Sequence, residues 1–261
     1  MTPAELAAYI GATAWLPHIA AWTYRWFATP KITILPDRYA EVGFTSYGPI
    51  FNVRMVFASD RKDAIIDGFE LVVRHEDGDV RTFRWSGLSE TFSEIRDDAG
   101  YRQGTMGRDQ TPIALKIGTE SLVEKFVRFQ EPRYHETIQP ALSSLVAQFN
   151  FLKRSGTSDY VSQVLASKEL FELNDVRQDS FWWKAGRYEA TIKLSSPRKF
   201  RLTRSQFAFD LTSNHIDQLR QNLDMLTTEM RNVIESNLPD FQAQLINWNW
   251  AYADIQKISA G

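Results

Sequence analysis

The chain has 261 residues, 43% of them hydrophobic, and is long enough to bury a core of its own. It contains no cysteine, which excludes disulfides, thiolate metal sites and cysteine nucleophiles. The formal net charge of −2 gives no general attraction to nucleic acid, so we expect that nucleic acid is not a partner.

The first segment, residues 1–29, predicts a helix with one strongly hydrophobic face. Residues 6–24 carry no Asp, Glu, Lys or Arg, and large side chains recur at alternating steps of four and three. These side chains belong to Trp15, Ile19, Trp22 and Trp26, and Phe27 follows them. Because tryptophan is enriched at membrane interfaces, we expect membrane contact through residues 6–27, by a helix that either spans the bilayer or lies on it. The alternative is a helix that packs against the rest of the protein or against a partner chain.

The charges that flank this helix predict its orientation. Glu5 precedes the uncharged stretch, while Arg25, Lys31 and Arg38 follow it. If the helix spans a membrane, the positive-inside rule places the globular part in the cytoplasm, at the cytoplasmic face of the membrane. No basic region precedes the stretch, so it does not resemble a secretory signal and we expect it to be retained.

After Pro30 the pattern changes to short strands. Val53, Met55 and Phe57 alternate with polar or small residues, and a second alternating run covers residues 64–75. The acidic, glycine-containing stretch 76–79 predicts a tight turn before a return strand, so these residues predict a hairpin.

The middle of the chain predicts a loop, two strands and then helices. Residues 86–110 have several glycines and mixed charges, which indicates a long loop, and strands resume over 112–117 and 122–129. Apolar residues at helical spacing then predict a helical insertion over 135–175. Strands return within 187–211, with a break in alternation near Arg204 that predicts a bulge.

Two adjacent tryptophans, Trp182 and Trp183, lie between the insertion and the returning strands. Their rings could form an exposed stacking platform, or they could be buried under the helical insertion. Large rings contribute most when they are buried, so the sequence favours burial.

These strands resemble those of an immunoglobulin-like β-sandwich. The likeness is carried by the strands over 52–58 and 65–74 and by the run that begins Gly186-Arg187-Tyr188. It implies an antiparallel sandwich over 30–212, interrupted by the helical insertion, with the Tyr188 hydroxyl bonded to nearby backbone. The order of hydrophobic helix, short strand and sandwich is also similar to that of bacterial membrane-associated proteins to which no activity is attached.

The C-terminal segment, residues 213–261, is predicted to be helical. Apolar residues at steps of three and four over 216–233 form a stripe that needs to be buried. The stripe can pack on the helical insertion, or it can mediate self-association into a homo-oligomer. A second aromatic cluster, which includes Trp248, Trp250 and Tyr252, follows Pro239.

The sequence contains one candidate binding group and no catalytic, metal or cofactor motif. The four histidines lie in different predicted elements, and no phosphate loop, nucleophile elbow or dinucleotide motif is present, so we predict no catalytic residue, no metal and no cofactor. The densest basic group could bind a phosphate or a lipid headgroup, or could protect the edge of a sheet from aggregation. It consists of Arg198, Lys199, Arg201 and Arg204.

Three functions follow from these observations. The first is a non-enzymatic, membrane-associated module that binds a protein partner, in a bacterium and as part of a larger assembly. The second is a sensor that binds a nucleotide or another small anion through the basic group. The third is an enzyme whose site is assembled from scattered residues.

Overall fold

The structure, a computed structural model, describes residues 2–96, 102–156, 158–236 and 238–258. Within those residues the helices are α1 (Pro3–Phe27), α2 (Pro132–Arg154), α3 (Tyr160–Leu165), α4 (Lys168–Asp179), α5 (Ser213–Arg220) and α6 (Asn222–Glu235). The strands are β1 (Lys31–Thr45), β2 (Gly48–Asp60), β3 (Ala64–Ile66), β4 (Gly68–His75), β5 (Val80–Arg96), β6 (Arg102–Gln110), β7 (Leu115–Ile117), β8 (Val123–Gln130), β9 (Gly186–Ser195), β10 (Arg201–Thr203), β11 (Gln206–Leu211) and β12 (Ala251–Lys257).

Eight of these strands form a closed antiparallel barrel. Their order around the barrel is β1, β12, β11, β9, β4, β5, β8, β2 and back to β1. The ring closes because β1 pairs with β2 along one edge and with β12 along the other. The predicted immunoglobulin-like sandwich is therefore wrong. Alternating apolar residues bury one face of a strand in either fold, so alternation does not distinguish two stacked sheets from one closed sheet.

Aromatic side chains fill the interior of the barrel. The Phe69 ring lies 4.9 Å from that of Phe129 and 5.8 Å from that of Phe57, centroid to centroid. The Phe209 ring lies 5.2 Å from that of Phe51 and stacks on Tyr188 at 4.9 Å. An eight-stranded barrel is just wide enough for side chains to fill, and here they form the core.

The end of the barrel where β4 runs into β5, called here the tryptophan end, is covered by two buried tryptophans. The Trp183 ring stacks on Phe83 at 5.7 Å, and its Nε1 donates a hydrogen bond to the Gly43 carbonyl oxygen at 2.8 Å. Trp182 is also buried. The sequence favours burial of this pair over an exposed stacking platform, and the structure confirms the burial.

The opposite end, called here the α1 end, is where β1 begins and β2 ends. A two-stranded sheet of β3 and β7 follows the end of β2, and four of its apolar residues are buried: Ala64, Ile66, Leu115 and Ile117. The hairpin of β5 and β6 runs toward this end, beyond the last pairing of β5 with β8 at Ser89.

The predicted loop over 86–110 is therefore wrong where the structure describes it, since β5 and β6 pair from Leu88↔Gln110 to Arg96↔Arg102. Residues 97–101 lie outside the described residues. Beyond Ser89, β5 pairs with β6 and no longer with β8, so backbone hydrogen bonds hold this hairpin outside the ring of barrel strands. Apolar alternation, the signal used to predict strands, is then not required.

Helices α2 to α6 contact one another beside the barrel. The predicted insertion corresponds to α2, α3 and α4, and α6 contacts α3, α4 and β1. The apolar stripe over 216–233 is mostly buried in these contacts, including Ile216, Leu219 and Leu226, whereas Val233 is exposed. Self-association through 216–233 stays a prediction. The segment 213–261 is not helical throughout, because Ala251–Lys257 forms β12 and completes the barrel.

Candidate functional site

The first helix carries a row of exposed hydrophobic side chains, called here the aromatic stripe. Trp15, Ile19, Trp22 and Trp26 fall within an arc of about 60° of the helix surface, at 3.6 residues per turn. Phe27, the last residue of α1, lies about 100° further round the helix than Trp26. Their side chains are between 55% and 78% exposed, so in this structure they are not covered by the rest of the described chain.

Among the described residues, no helix combines the length and the hydropathy required to cross a membrane.

A short, anchored connection joins α1 to the barrel. After Phe27 the chain passes through Pro30, which is buried, and enters β1 at Lys31. The Pro30 carbonyl oxygen accepts a hydrogen bond from the backbone N–H of Arg201 at 2.8 Å. The end of α1 is therefore attached to the strand that carries the predicted basic group.

The basic group lies beside this connection. Strand β10 pairs in parallel with the start of β1, and Lys31 is the register partner of Arg201. The hydroxyls of Thr33 and Thr203, 3.0 Å apart, add a side-chain contact between the same two strands. Lys199 precedes the strand, so the predicted sharing of one strand face by Lys199 and Arg201 is not observed.

Arg204 explains the predicted break in alternation. It follows β10 and adopts a backbone φ of +56°, in the left-handed region that non-glycine residues seldom occupy. Strand β11 starts two residues later. This one residue allows the chain to leave β10, which pairs with β1, and to enter β11, which pairs with β9 and β12.

Two further cations extend the basic surface. Asp60, the last residue of β2, is the register partner of Lys31 and forms an ion pair with it at 4.0 Å. Arg61 and Lys62 come next in the chain and lie two strand spacings from β10, about 10 Å. We call the following six residues the basic base: Arg61, Lys62, Arg198, Lys199, Arg201 and Arg204.

The side chains of the basic base are not neutralised by neighbours. Within the described part of the chain, none of the six forms an ion pair, although nearby carboxylates do. Asp60 is engaged by Lys31, and Asp63 by Lys116 at 3.4 Å. The Thr119 backbone N–H and then Lys116 hold the pKa of Asp63 below its usual value. The α1 end therefore presents several positive charges next to the aromatic stripe.

A separate polar network occupies the tryptophan end. Lys184 Nζ lies 2.7 Å from Asp77 Oδ2, and His75 Nδ1 lies 2.9 Å from Asp77 Oδ1. Trp182 Nε1 donates a hydrogen bond to Asp79 Oδ2 at 2.8 Å. Hydrogen bonding from Lys184 is the main cause that lowers the pKa of Asp77 well below its usual value, and the same contact raises the pKa of Lys184.

Tyr188 completes this network from inside the barrel. Its hydroxyl accepts a hydrogen bond from the Lys184 backbone N–H at 2.8 Å and donates one to the Lys184 carbonyl oxygen at 2.9 Å. The sequence predicts this bond from Tyr188 to nearby backbone, and it is present although the sandwich is not. Burial raises the pKa of Tyr188, so the phenol stays protonated. The Tyr188 hydroxyl both donates to and accepts from the backbone. This geometry fits a structural role, in which Tyr188 holds the Lys184 segment across the end of the barrel.

The histidines do not converge. His75 belongs to the network at the tryptophan end, His215 caps α5 with Thr212, and the His18 ring lies 6.0 Å from that of Trp15 on α1. His135 is exposed on α2. Over the described ranges, no group of three or more His, Asp or Glu side chains is arranged to hold a metal ion.

Comparison with known proteins adds no relative. No family model, no curated protein and no solved structure matches the chain.

Sequence reasoning identified the stripe and four of the six cations of the basic base, but not their proximity. Arg61 and Lys62 were missed because they follow β2, more than 130 residues before Arg198. The signal that could have found them is the pairing of β2 with β1, which places the end of one beside the start of the other.

Proposed function

We propose that this protein is a non-enzymatic module that attaches to a membrane surface through α1 and presents its barrel to a protein partner. The observation that supports the attachment is the exposure of the aromatic stripe. By contrast, no tryptophan outside α1 is exposed among the described residues, and Trp183 is fully buried in the core. A contiguous exposed row of this kind marks a surface that meets an apolar phase or a partner.

The types and positions of the α1 residues favour a helix that lies in the membrane–water interface over one that spans the bilayer. Helices that span a bilayer concentrate tryptophan near their two ends, whereas Trp15, Trp22 and Trp26 are spread over three turns of one face. The indole combines an apolar ring with an N–H donor, which suits the headgroup boundary. Pro17 and His18 lie in the middle of α1, where a spanning helix is most apolar.

The expected strength of attachment follows from the tryptophan surface area that the membrane would cover. A tryptophan side chain buries about 150–250 Å² when fully covered, and those of the stripe are about two-thirds exposed. Transfer of about 100 Å² of each into the interface, at about 25 cal/mol per Å², contributes about 2.5 kcal/mol per tryptophan. Three of them are sufficient for reversible attachment of a chain of this size.

Flotation with phosphatidylcholine vesicles tests the attachment. The full chain is compared with a variant that carries Trp15→Ser, Trp22→Ser and Trp26→Ser. We expect the full chain to float with the vesicles and the variant to remain in the dense fraction. The matched control replaces Tyr47 and Tyr252, exposed aromatic residues of the barrel, with Ser and should float normally. Failure of the full chain to float on any vesicle composition would refute the attachment.

The outer surface of the barrel has features that support the proposed binding of a protein partner. Tyr39 on β1 and Tyr252 on β12 are exposed beside a groove of about 490 Å³, which Arg54 and Phe126 also line. Exposed tyrosine and arginine side chains are enriched at protein interfaces. A partner copurified from native cells should be lost with Tyr39→Ala and Tyr252→Ala together and retained with Tyr47→Ala. Equal recovery of the partner with all variants would exclude this wall as the binding surface.

A further inference from the structure

We infer that the basic base gives the protein a preference for anionic phospholipid headgroups, so that the α1 end faces the membrane. This inference rests on the proposed attachment through α1 and specifies the lipid that it selects. It is carried by the juxtaposition that β10 creates: the aromatic stripe and the basic base meet at Lys31, where β10 pairs with β1.

The first step is the charge of the surface. All four cations of the predicted group are exposed, and so is Arg61. Since none of the basic base forms an ion pair within the described residues, each can approach a lipid phosphate without breaking a contact in the protein. Arginine in particular binds phosphate oxygens through two parallel N–H donors.

The second step is the geometry. The chain leaves α1 at Phe27 and reaches the barrel at Lys31, so a helix lying on the membrane brings the α1 end of the barrel to the same surface. The tryptophan end lies at the other end of β4, about 25 Å away at 3.3 Å per residue. Cations at the α1 end are therefore within one Debye length of the lipid phosphates, and those at the tryptophan end are not.

The spread of the positive charges favours a lipid surface over a single soluble anion as the ligand. Arg61 and Lys62 follow β2, whereas the other four cations lie in β10 or flank it, so the charge is spread over a surface. A site for a single small anion gathers its donors around one point, often with backbone N–H groups. A broad field of unpaired cations beside hydrophobic side chains is the arrangement of proteins that bind anionic membranes.

The test uses the full chain and a charge-reversal variant. Lys199→Glu with Arg201→Glu reverses two exposed residues of the basic base. The matched control, Arg74→Glu with Arg133→Glu, makes the same change in net charge near the tryptophan end, at two exposed arginines that form no ion pair within the described residues. Melting curves of both variants confirm that the barrel is folded.

Binding is measured on vesicles of phosphatidylcholine alone and on vesicles in which about a third of the lipid is phosphatidylserine. Each basic residue near an anionic surface contributes a factor of about five in partitioning, so reversal of two should weaken binding to anionic vesicles by at least about 25-fold. Binding to neutral vesicles should stay the same. The control should bind both as the unmodified chain does, and added salt should remove the preference.

The outcomes distinguish this inference from the proposed function. Equal binding of the unmodified chain to neutral and anionic vesicles would overturn the lipid preference and leave the attachment intact. No binding to either vesicle would overturn both. A melting shift with ATP or inorganic phosphate that is lost in Lys199→Glu with Arg201→Glu, without a preference for anionic vesicles, would assign the basic base to a soluble anion and overturn the lipid assignment.

Discussion

Replacement of Tyr188 by Phe is the sharpest test of how the tryptophan end is closed. The Tyr188 ring is buried and stacks on Phe209, and the substitution leaves that contact in place. It removes only the hydroxyl, which makes two hydrogen bonds with the backbone of Lys184, at 2.8 and 2.9 Å. The Lys184 N–H and carbonyl then lose the partner that holds this segment against the barrel.

The size of the effect follows from these two bonds. Each contributes about 0.5–1.5 kcal/mol net, so the free energy of unfolding should fall by about 2 kcal/mol. For a chain of this length the melting temperature should fall by about 4–8 °C. Burial raises the pKa of Tyr188, so the loss should persist at mildly alkaline pH.

Urea unfolding followed by tryptophan fluorescence, together with calorimetry, measures this loss. The matched control is Tyr252→Phe, which removes an exposed hydroxyl and should change the free energy of unfolding by less than about 0.5 kcal/mol. Equal stability of the two variants would show that the Tyr188 hydroxyl does not hold the Lys184 segment, and the structural closure assigned to it would have to be abandoned.

Two further predictions concern the same end of the molecule. Because hydrogen bonding from Lys184 lowers the pKa of Asp77 from its usual 3.8, the stabilisation from Asp77 is present above that pH and is lost as the pH falls through the lowered pKa. The melting temperature of the unmodified chain should therefore fall more steeply below about pH 4 than that of Asp77→Asn, and parallel curves would contradict this. Gly48→Ala should destabilise the chain by about 2 kcal/mol or more, since Gly48 has a φ of +78° and lies against the Tyr134 ring. Gly78→Ala, at a φ of +95° but in open space, should cost only about 1 kcal/mol, and an equal loss in both would exclude a role for the Tyr134 contact.

Local elements were predictable where alternation and turn residues coincide. The hairpin of β4 and β5 follows from two alternating runs around an acidic turn that contains Gly78. The helices of the insertion follow from apolar spacing. The turn between β1 and β2 was missed, although the Gly48-Pro49 pair is a turn signal, because the alternation that follows over 53–57 drew the strand assignment.

Closure of the barrel was not predictable from local pattern. It depends on the pairing of β1 with β12, whose register partners Ala40 and Ala253 are more than 200 residues apart. The sequence shows an aromatic cluster at 248–252. The strand β12, which begins within this cluster, alternates buried Ala251 and Ala253 with exposed residues. Alanine gives a weak apolar signal, so this strand was not recognised.

The candidate surface was predictable in parts. The stripe is encoded within one helix and the four clustered cations within seven residues, so the sequence shows both directly. Their proximity arises from the parallel pairing of β10 with β1, which places Arg201 beside Lys31. No periodicity within either segment carries that information.

The position of β12 between β1 and β11 also constrains how the protein is made. During translation β1 leaves the ribosome more than 200 residues before β12, its neighbour along one edge. Until then β1 and β11 offer unpaired backbone groups to other nascent chains. A pause or premature stop before codon 251 would leave an open seam, and we expect such fragments to aggregate or to be degraded.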